Sequence, residues 1–270
     1  MKKIPHLLLA LAGAVTSSLT AATYTFDTSA DYSNNFTPGF TSNTGTGGTA
    51  PFWSSSTYPA HIVKFDSTGS GSASFSTLNA AVGSTSYTVK ADVLFSPTAT
   101  AFSTDTGALS FSFLTNIGTA NGYAAIFRFT GSNTADFRIY EGVNASTGAL
   151  GTLRDTKTLT SSGANWSTSS FYTLSLNVST AGDNSGISFI GSILSTGGTP
   201  LGSFTTYTDT SPSSATNTSV GVRMGVGSTD VLRMDNFSVT TSLIPEPSTF
   251  ALLGGFGALA LAIHSRRKRI

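Results

Sequence analysis

Few side chains in this chain of 270 residues could carry acid–base or nucleophilic chemistry. Between Thr23 and Ile244 there is one glutamate, Glu141, and one histidine, His61, and no cysteine or glutamine occurs anywhere. Hydrolysis of a glycosidic bond by a retaining route needs two carboxyl groups about 5–5.5 Å apart, one a proton donor and one a nucleophile. Glu141 stands in the turn-like "YEGVN", and no two acidic residues are spaced i, i+2 to share one face of a strand. His61 opens the strand-like "HIVKF", where a structural or solvent-facing imidazole is the ordinary occupant. Ser185 lies in "GDNSG", but that stretch falls between two apolar runs and reads as a hairpin turn. Zinc has no His/Cys cluster or HExxH helix to bind. The catalytic set is therefore read as empty.

Two binding chemistries remain. Asp27 beside the first strand and Asp235 in the last could meet around a structural Ca²⁺, although acids at sheet edges are usually just solvated. Aromatic rings could face sugar rings, and Trp53, Tyr58, Trp166 and Tyr207 are the candidates near loops. Trp166, just ahead of a strand, reads as core. Trp53 and Tyr58, in the Gly/Pro/Ser-rich "GGTAPFWSSSTYPA", are the better ligand-facing pair. No cofactor is otherwise expected.

These residues need a scaffold, and composition bounds it. Hydrophobic residues make up 39% and charged residues only 10%, so the chain can bury a core under a neutral, hydroxyl-rich surface. Six of its basic residues sit at the two ends; the span Thr23–Ile244 holds eight basic against twelve acidic residues, a net charge of −4. A nucleic-acid partner, which needs a basic stripe, is excluded.

The scaffold reads as β. "YTVKADVLF" places Tyr87, Val89, Ala91, Val93 and Phe95 on one face, and "YAAIFRF" does the same for Tyr123, Ala125, Phe127 and Phe129. Short runs of the same kind recur at 109–114, 137–140, 171–178, 187–194, 220–226 and 231–239, bounded by Gly, Asn, Asp, Ser or Pro. Many short strands predict an antiparallel β-sandwich or jelly roll in one domain, 23–243. "SNTGTGGTAPFWSSSTYPA" and "TGGTPLGSFTTYTDTSPSSATNTS" read as long surface loops of it. "ATYTFDTSADY", "NWSTSSFYTLSLNV" and "LRMDNFSV" resemble the concanavalin A-like or laminin G-like jelly roll, which implies pairing of the first and last strands.

The ends carry addresses. Lys2 and Lys3, the apolar "IPHLLLALAGAV" and the small residues of "SLTAA" make a secretory signal, with a signal helix in 1–22 and cleavage by signal peptidase after Ala22. An exported chain without cysteine has no disulfide to lean on. At the other end, 244–270, Pro245, Glu246 and Pro247 precede an uncharged run, 249–263, and then the basic cluster Arg266, Arg267, Lys268 and Arg269. Fifteen helical residues span about 22 Å against a hydrocarbon core of about 30 Å, so this transmembrane helix would anchor the chain only transiently. The basic cluster is a stop-transfer, positive-inside signal.

This three-part tail resembles the PEP-CTERM sorting signal of Gram-negative bacteria. The resemblance implies an exosortase that removes the tail and passes the protein from an inner-membrane-anchored precursor to the cell surface or extracellular matrix. The expected protein is thus an exported, non-catalytic β-sandwich, structural or in contact with extracellular polysaccharide; the alternative is a carbohydrate-active jelly-roll enzyme with an atypical site.

Overall fold

The computed structural model describes residues 19–33, 36–42, 52–55, 62–65, 69–75, 85–96, 109–115, 122–131, 133–143, 150–160, 166–167, 169–180, 186–211, 220–226 and 231–243. In chain order the elements are β1 (Leu19–Tyr24), α1 (Ser29–Ser33), β2 (Phe36–Ser42), β3 (Phe52–Ser54), β4 (Ile62–Phe65), β5 (Gly69–Phe75), β6 (Thr85–Ser96) and β7 (Leu109–Thr115). They continue as β8 (Gly122–Phe129), β9 (Thr134–Val143), β10 (Thr152–Thr160), β11 (Tyr172–Thr180), β12 (Ile187–Ser195), β13 (Pro200–Ser203), β14 (Tyr207–Asp209), β15 (Val220–Val226) and β16 (Val231–Leu243). One sheet has the order β13-β12-β11-β6-β16-β4-β3, with β1 also on β16 and β14 also on β12. The other has the order β10-β9-β8-β7-β15-β5-β2. Apart from the single turn of α1, the described elements are strands in antiparallel ladders, the all-β sandwich that the period-two runs predict.

The first strand pairs with the last, Tyr24 opposite Phe237 and Leu19 opposite Ser242. β11 and β12 form the expected hairpin, Thr180 opposite Ile187. Three readings need correction. β3 lies inside a stretch read as loop, and β13 and β14 lie inside another, because short edge pairings onto β4 and β12 need no long apolar run. β10 was invisible to pattern: "TLRDTKTLT" is polar on both sides and belongs at a sheet edge, where charge discourages stray pairing. Glu141 is not in a turn; it lies in β9, opposite Tyr123 of β8 and Thr152 of β10. Leu19–Ala22, at the end of the expected signal 1–22, belong to β1. The rest of that signal helix and the expected transmembrane helix 249–263 lie outside the described residues; among those described, no helix is long and apolar enough to cross a membrane.

The core sits between the sheets. Tyr87, Val89, Ala91, Val93 and Phe95 of β6 face Tyr123, Ala125, Phe127 and Phe129 of β8 within one buried cluster. Each fully buried phenylalanine contributes about 1.5–3 kcal/mol of apolar transfer, and this replaces the missing disulfides. Phe137 is wedged between Phe127, with ring centroids 5.0 Å apart, and Phe204, stacked at 5.1 Å. Phe26, two residues past the end of β1, has φ 56°, a costly conformation for a bulky residue, yet it is wholly buried and its carbonyl accepts a bond from Trp53. Burial and that bond offset the strain.

Gly191 of β12 shows how closely the sheets approach. A Cβ there would lie 2.6 Å from the Phe137 ring, which its two aromatic neighbours prevent from moving. Gly191→Ala is expected to cost about 2 kcal/mol. Gly202→Ala, whose Cβ would meet only the half-buried Leu159 side chain at 2.5 Å, is expected to cost less than about 1 kcal/mol. Urea unfolding of the two variants checks this; equal losses would mean that Phe137 has room to give.

Candidate functional site

Glu141 is buried, with Arg154 of β10 and Tyr123 of β8 beside it, and Tyr123 links it to Asp209 of β14. Arg154 of β10 donates from Nε to Glu141 Oε2 at 2.7 Å. Tyr123 of β8 donates its hydroxyl to Asp209 Oδ2 of β14 at 2.9 Å and stands 3.5 Å from Glu141 Oε1. Burial, then the bond and charge of Asp209, raise the Tyr123 hydroxyl far above its usual value, so it remains a donor. Asp209 also accepts from the Ser211 amide at 2.9 Å. β8, β9 and β10 belong to one sheet and β14 to the other, so the network ties the sheets together at one end. Its carboxylates are engaged by arginine, tyrosine and backbone, which suits a clamp better than a proton-transfer pair. His61 and Ser185 lie outside the described residues.

The aspartates meet differently. The register of β6 and β16 sets Asp235 opposite Asp92, a residue the sequence reading did not single out. Asn236, at φ 46° in the bulge that follows, donates its side-chain amide to Asp92 Oδ2 at 2.9 Å, and Thr173 donates to Asp92 Oδ1 at 2.5 Å. Asp27 is exposed and accepts from the Thr25 hydroxyl at 2.6 Å. Burial pushes the Asp235 carboxyl up to about 6, the Asn236 backbone amide opposes this, and the charges of Asp92 and Asp27 add to it. Asp27 and Asp235 are therefore brought within electrostatic reach of each other. Among the described residues, however, no three metal-ligating side chains form a group that could hold an ion.

This arrangement has a pH consequence. Because the folded state binds the Asp235 proton more tightly than the unfolded chain, ionised Asp235 opposes folding above about pH 6, and stability is gained as pH falls from there toward 4. Asp235→Asn is expected to stabilise the protein by about 1–2 kcal/mol at pH 8 and by almost nothing at pH 4, after discounting for partial solvent screening. Thermal unfolding of the variant and the parent at both pH values tests this; a gain that persists at pH 4 would remove titration as its cause.

Of the aromatic candidates, Trp166 is buried, donates its indole N–H to the Thr134 carbonyl at 3.1 Å and sits edge-on to Phe129. Trp53 is half-buried against the core in β3, its indole N–H donating to the Phe26 carbonyl at 2.7 Å. Tyr207 is half-buried and stacks on Phe189. Tyr58 lies outside the described residues.

The outward face of the first sheet carries a feature that none of these motifs announced. Alternation turns the apolar residues of β6, β11, β12 and β16 inward and leaves hydroxyl and amide side chains outside. Cross-strand register lines them up: Thr240, Thr88 and Asn177 in one row, which runs on to the exposed Ile190; Ser86, Ser179, Ser188 and Thr208 in the next; Ser238, Lys90, Ser192 and Ser203 in a third, around the buried Ser175. Neighbours in a row stand about 4.8 Å apart, and rows follow every 6.5–7 Å or so. An open depression of about 350 Å³ lies over the first two rows, lined by Ser86, Tyr87, Thr88, Asn177, Val178, Ser179 and Thr240. Thr88 donates to Asn177 Oδ1 at 2.6 Å, which leaves the Asn177 NH₂ group as a donor beside the surrounding hydroxyls. A dish of donors and acceptors without a net charge matches the hydroxyls of a neutral or weakly acidic glycan.

The same sheet leads directly into the tail, because β16 ends at Leu243 and Pro245, Glu246 and Pro247 follow it, outside the described residues. Residues 243–268 match the PEP-CTERM protein-sorting motif. The PEP-CTERM motif takes in Pro245–Pro247, the apolar run and Arg266, Arg267 and Lys268, and it marks an exported protein sorted to the surface. No curated protein matches the sequence.

Solved structures match the body. The winged bean acidic lectin complexed with methyl-α-D-galactose aligns at TM-score 0.51 and 11% identity, covering 84% of this chain and 99% of the lectin. The CBM2 module of the evolved Dit of Lactobacillus casei BL23 phage J-1 aligns at 0.51 and 10%, covering 86% and 99%. An endo-1,3-β-glucanase from Streptomyces sioyaensis aligns at 0.49 and 14%, covering 85% and 99%. At such identities the likeness to the two at 0.51 establishes the fold alone: a lectin-like, concanavalin A-like jelly-roll sandwich.

Proposed function

We propose that this is an exosortase-processed surface or extracellular-matrix protein whose sandwich is non-catalytic and holds extracellular polysaccharide against the hydroxyl-lined depression of its outer face. The tail supplies the sorting half of this reading. Pro245 and Pro247 flank Glu246 with residues that disfavour helix for themselves and their predecessors, and Arg266–Arg269 follow the apolar run as a positive-inside signal. Signal peptidase and the secretion machinery act first, exosortase second.

The rows of Ser, Thr and Asn across β16, β6, β11 and β12 carry the binding half. The engagement of Glu141 and Asp209 by Arg154 and Tyr123 favours the non-catalytic form of the reading over a glycan-cleaving one. A single wet, open site of this kind binds weakly, with Kd on the order of 10⁻⁴ M.

The test uses protein released from the surface of an exosortase-positive host. Intact mass is expected to place the ends near Thr23 and the Pro245–Pro247 segment, and incubation with a polysaccharide panel is expected to give retention without sugar release. Released protein that still carries Arg266–Arg269 would overturn the sorting half. Sugar release that disappears in Glu141→Gln would overturn the non-catalytic half.

A further inference from the structure

The outer face of the first sheet is neutral over the depression and charged beside it. Lys90 of β6 follows Thr88 by two residues on the same side of the strand, so their Cα atoms lie about 6.5 Å apart along it. Across the sheet Lys90 stands opposite Ser238 of β16 and Ser175 of β11, and it is exposed.

One step further along the same face, Asp92 stands opposite Asp235. These two acids are the neighbours that could neutralise Lys90, yet the ion pairs among the described residues do not include it. Both Asp92 oxygens are already engaged, Oδ1 by the Thr173 hydroxyl at 2.5 Å and Oδ2 by the Asn236 side-chain amide at 2.9 Å. Asp235 Oδ1 accepts from the Asn236 backbone amide at 2.7 Å. The acids are thus held in a network of their own, and the Lys90 ammonium stays in solvent. Lysine is a compact charge on a flexible four-carbon stem, long enough to swing from its own row toward the Thr88–Asn177 pair. To a sugar hydroxyl this strongly hydrated group offers little more than water does; to a carboxylate it offers a charge-assisted hydrogen bond.

We infer that the polysaccharide held by this face carries carboxylate groups, one of which pairs with Lys90 while a neighbouring sugar lies over the depression. The inference rests on the glycan reading above and narrows it to uronate-bearing polymers. The contact is local: the span Thr23–Ile244 has a net charge of −4, so the body as a whole does not attract a polyanion. It also has a direction. A carboxylate placed one row too far meets Asp92 and Asp235 in place of Lys90, so a chain with carboxylates at intervals fits better than one charged on every sugar.

Pectin supplies the probe, because one galacturonan backbone can be prepared partly methyl-esterified or fully esterified, the second form having no carboxylate. In affinity electrophoresis at ~20 mM salt, protein released from the host surface is expected to bind the partly esterified form about threefold more tightly, the scale of one exposed ion pair. The difference is expected to vanish at ~0.5 M salt, where the screening length falls to a few ångströms. Lys90→Gln should bind both forms as the parent binds the neutral one, and Lys90→Arg should keep the preference. Lys157→Gln, which removes the same charge from β10 of the other sheet, should keep it too. Equal retention of the two pectins by the parent, a preference that survives Lys90→Gln, or one lost equally in Lys157→Gln would overturn the inference and leave glycan binding itself standing. Absence of retention on both pectins would overturn it as well, and the glycan reading with it if no other polysaccharide is bound.

Discussion

Replacing Asp136 with alanine is expected to destabilise the sandwich by about 3 kcal/mol, the low end of the cost of breaking a buried ion pair. Asp136 lies in β9, opposite Arg128 of β8 and Thr158 of β10. Its Oδ2 accepts from Arg128 at 2.9 Å and from Arg138 at 3.1 Å, and its Oδ1 accepts from Thr158 at 2.9 Å. Burial by itself would raise this carboxyl, but the bonds from Arg128, Thr158 and Arg138 outweigh it and hold the group below its ordinary value. Without it, two arginines at 14% and 24% side-chain exposure keep their charge and lose their counter-ion.

Asp136→Asn retains an acceptor for Thr158 but not the charge, and should cost about half as much. Equilibrium urea unfolding at pH 7 checks both variants, with an unchanged slope if the unfolded state is unaffected. Because the folded-state carboxyl is depressed, the stabilisation is present above the ordinary carboxylate range and is lost as pH falls through the folded value. A loss below about 1 kcal/mol at pH 7 would mean that the arginines find other partners.

The sequence carried the sandwich where one face of a strand is apolar. β6 and β8 alternate cleanly, and their inward residues are those that make the core. β10 defeated the pattern because an edge strand with charge on both sides has no apolar period. Glu141 looks like a turn residue because Gly142 follows it; Gly142 has φ 83°, which glycine adopts without strain, and it sits at the irregularity of the β8–β9 ladder, inside a strand and not in a turn. Tyr123 reaches Glu141 through the β8–β9 register, and Asp209, bonded to Tyr123, through packing of the other sheet; local spacing encodes neither.

Asp92 became the neighbour of Asp235 only through the β6–β16 register, so a search for acids beside the first and last strands found Asp27 and missed it. The hydroxyl rows were within reach of sequence reading. The alternation that picked out Tyr87 and Val89 also puts Ser86, Thr88 and Lys90 on the opposite face, and "LSLNVS" does the same for Ser175, Asn177 and Ser179. The apolar residues of the buried face give the stronger signal, and the polar ones opposite them form no linear motif. The tail was legible because its signal is linear: proline, apolar run and basic cluster need no fold to be recognised.

Glycan binding by the outer face of the β6–β11–β16 sheet, as proposed, is tested by retention of the mature protein in affinity electrophoresis through immobilised polysaccharide. Asn177 is exposed, so Asn177→Ala should leave the melting temperature unchanged while removing the amide beside Thr88. Loss of one or two hydrogen bonds to a sugar is expected to weaken retention about tenfold. The control, Thr156→Ala on exposed β10 of the other sheet, should migrate like the parent. Parent protein slowed by a polysaccharide, Asn177→Ala released from it and Thr156→Ala still slowed is the predicted result; retention that Asn177→Ala does not change, or no retention on any polysaccharide, would contradict the claim.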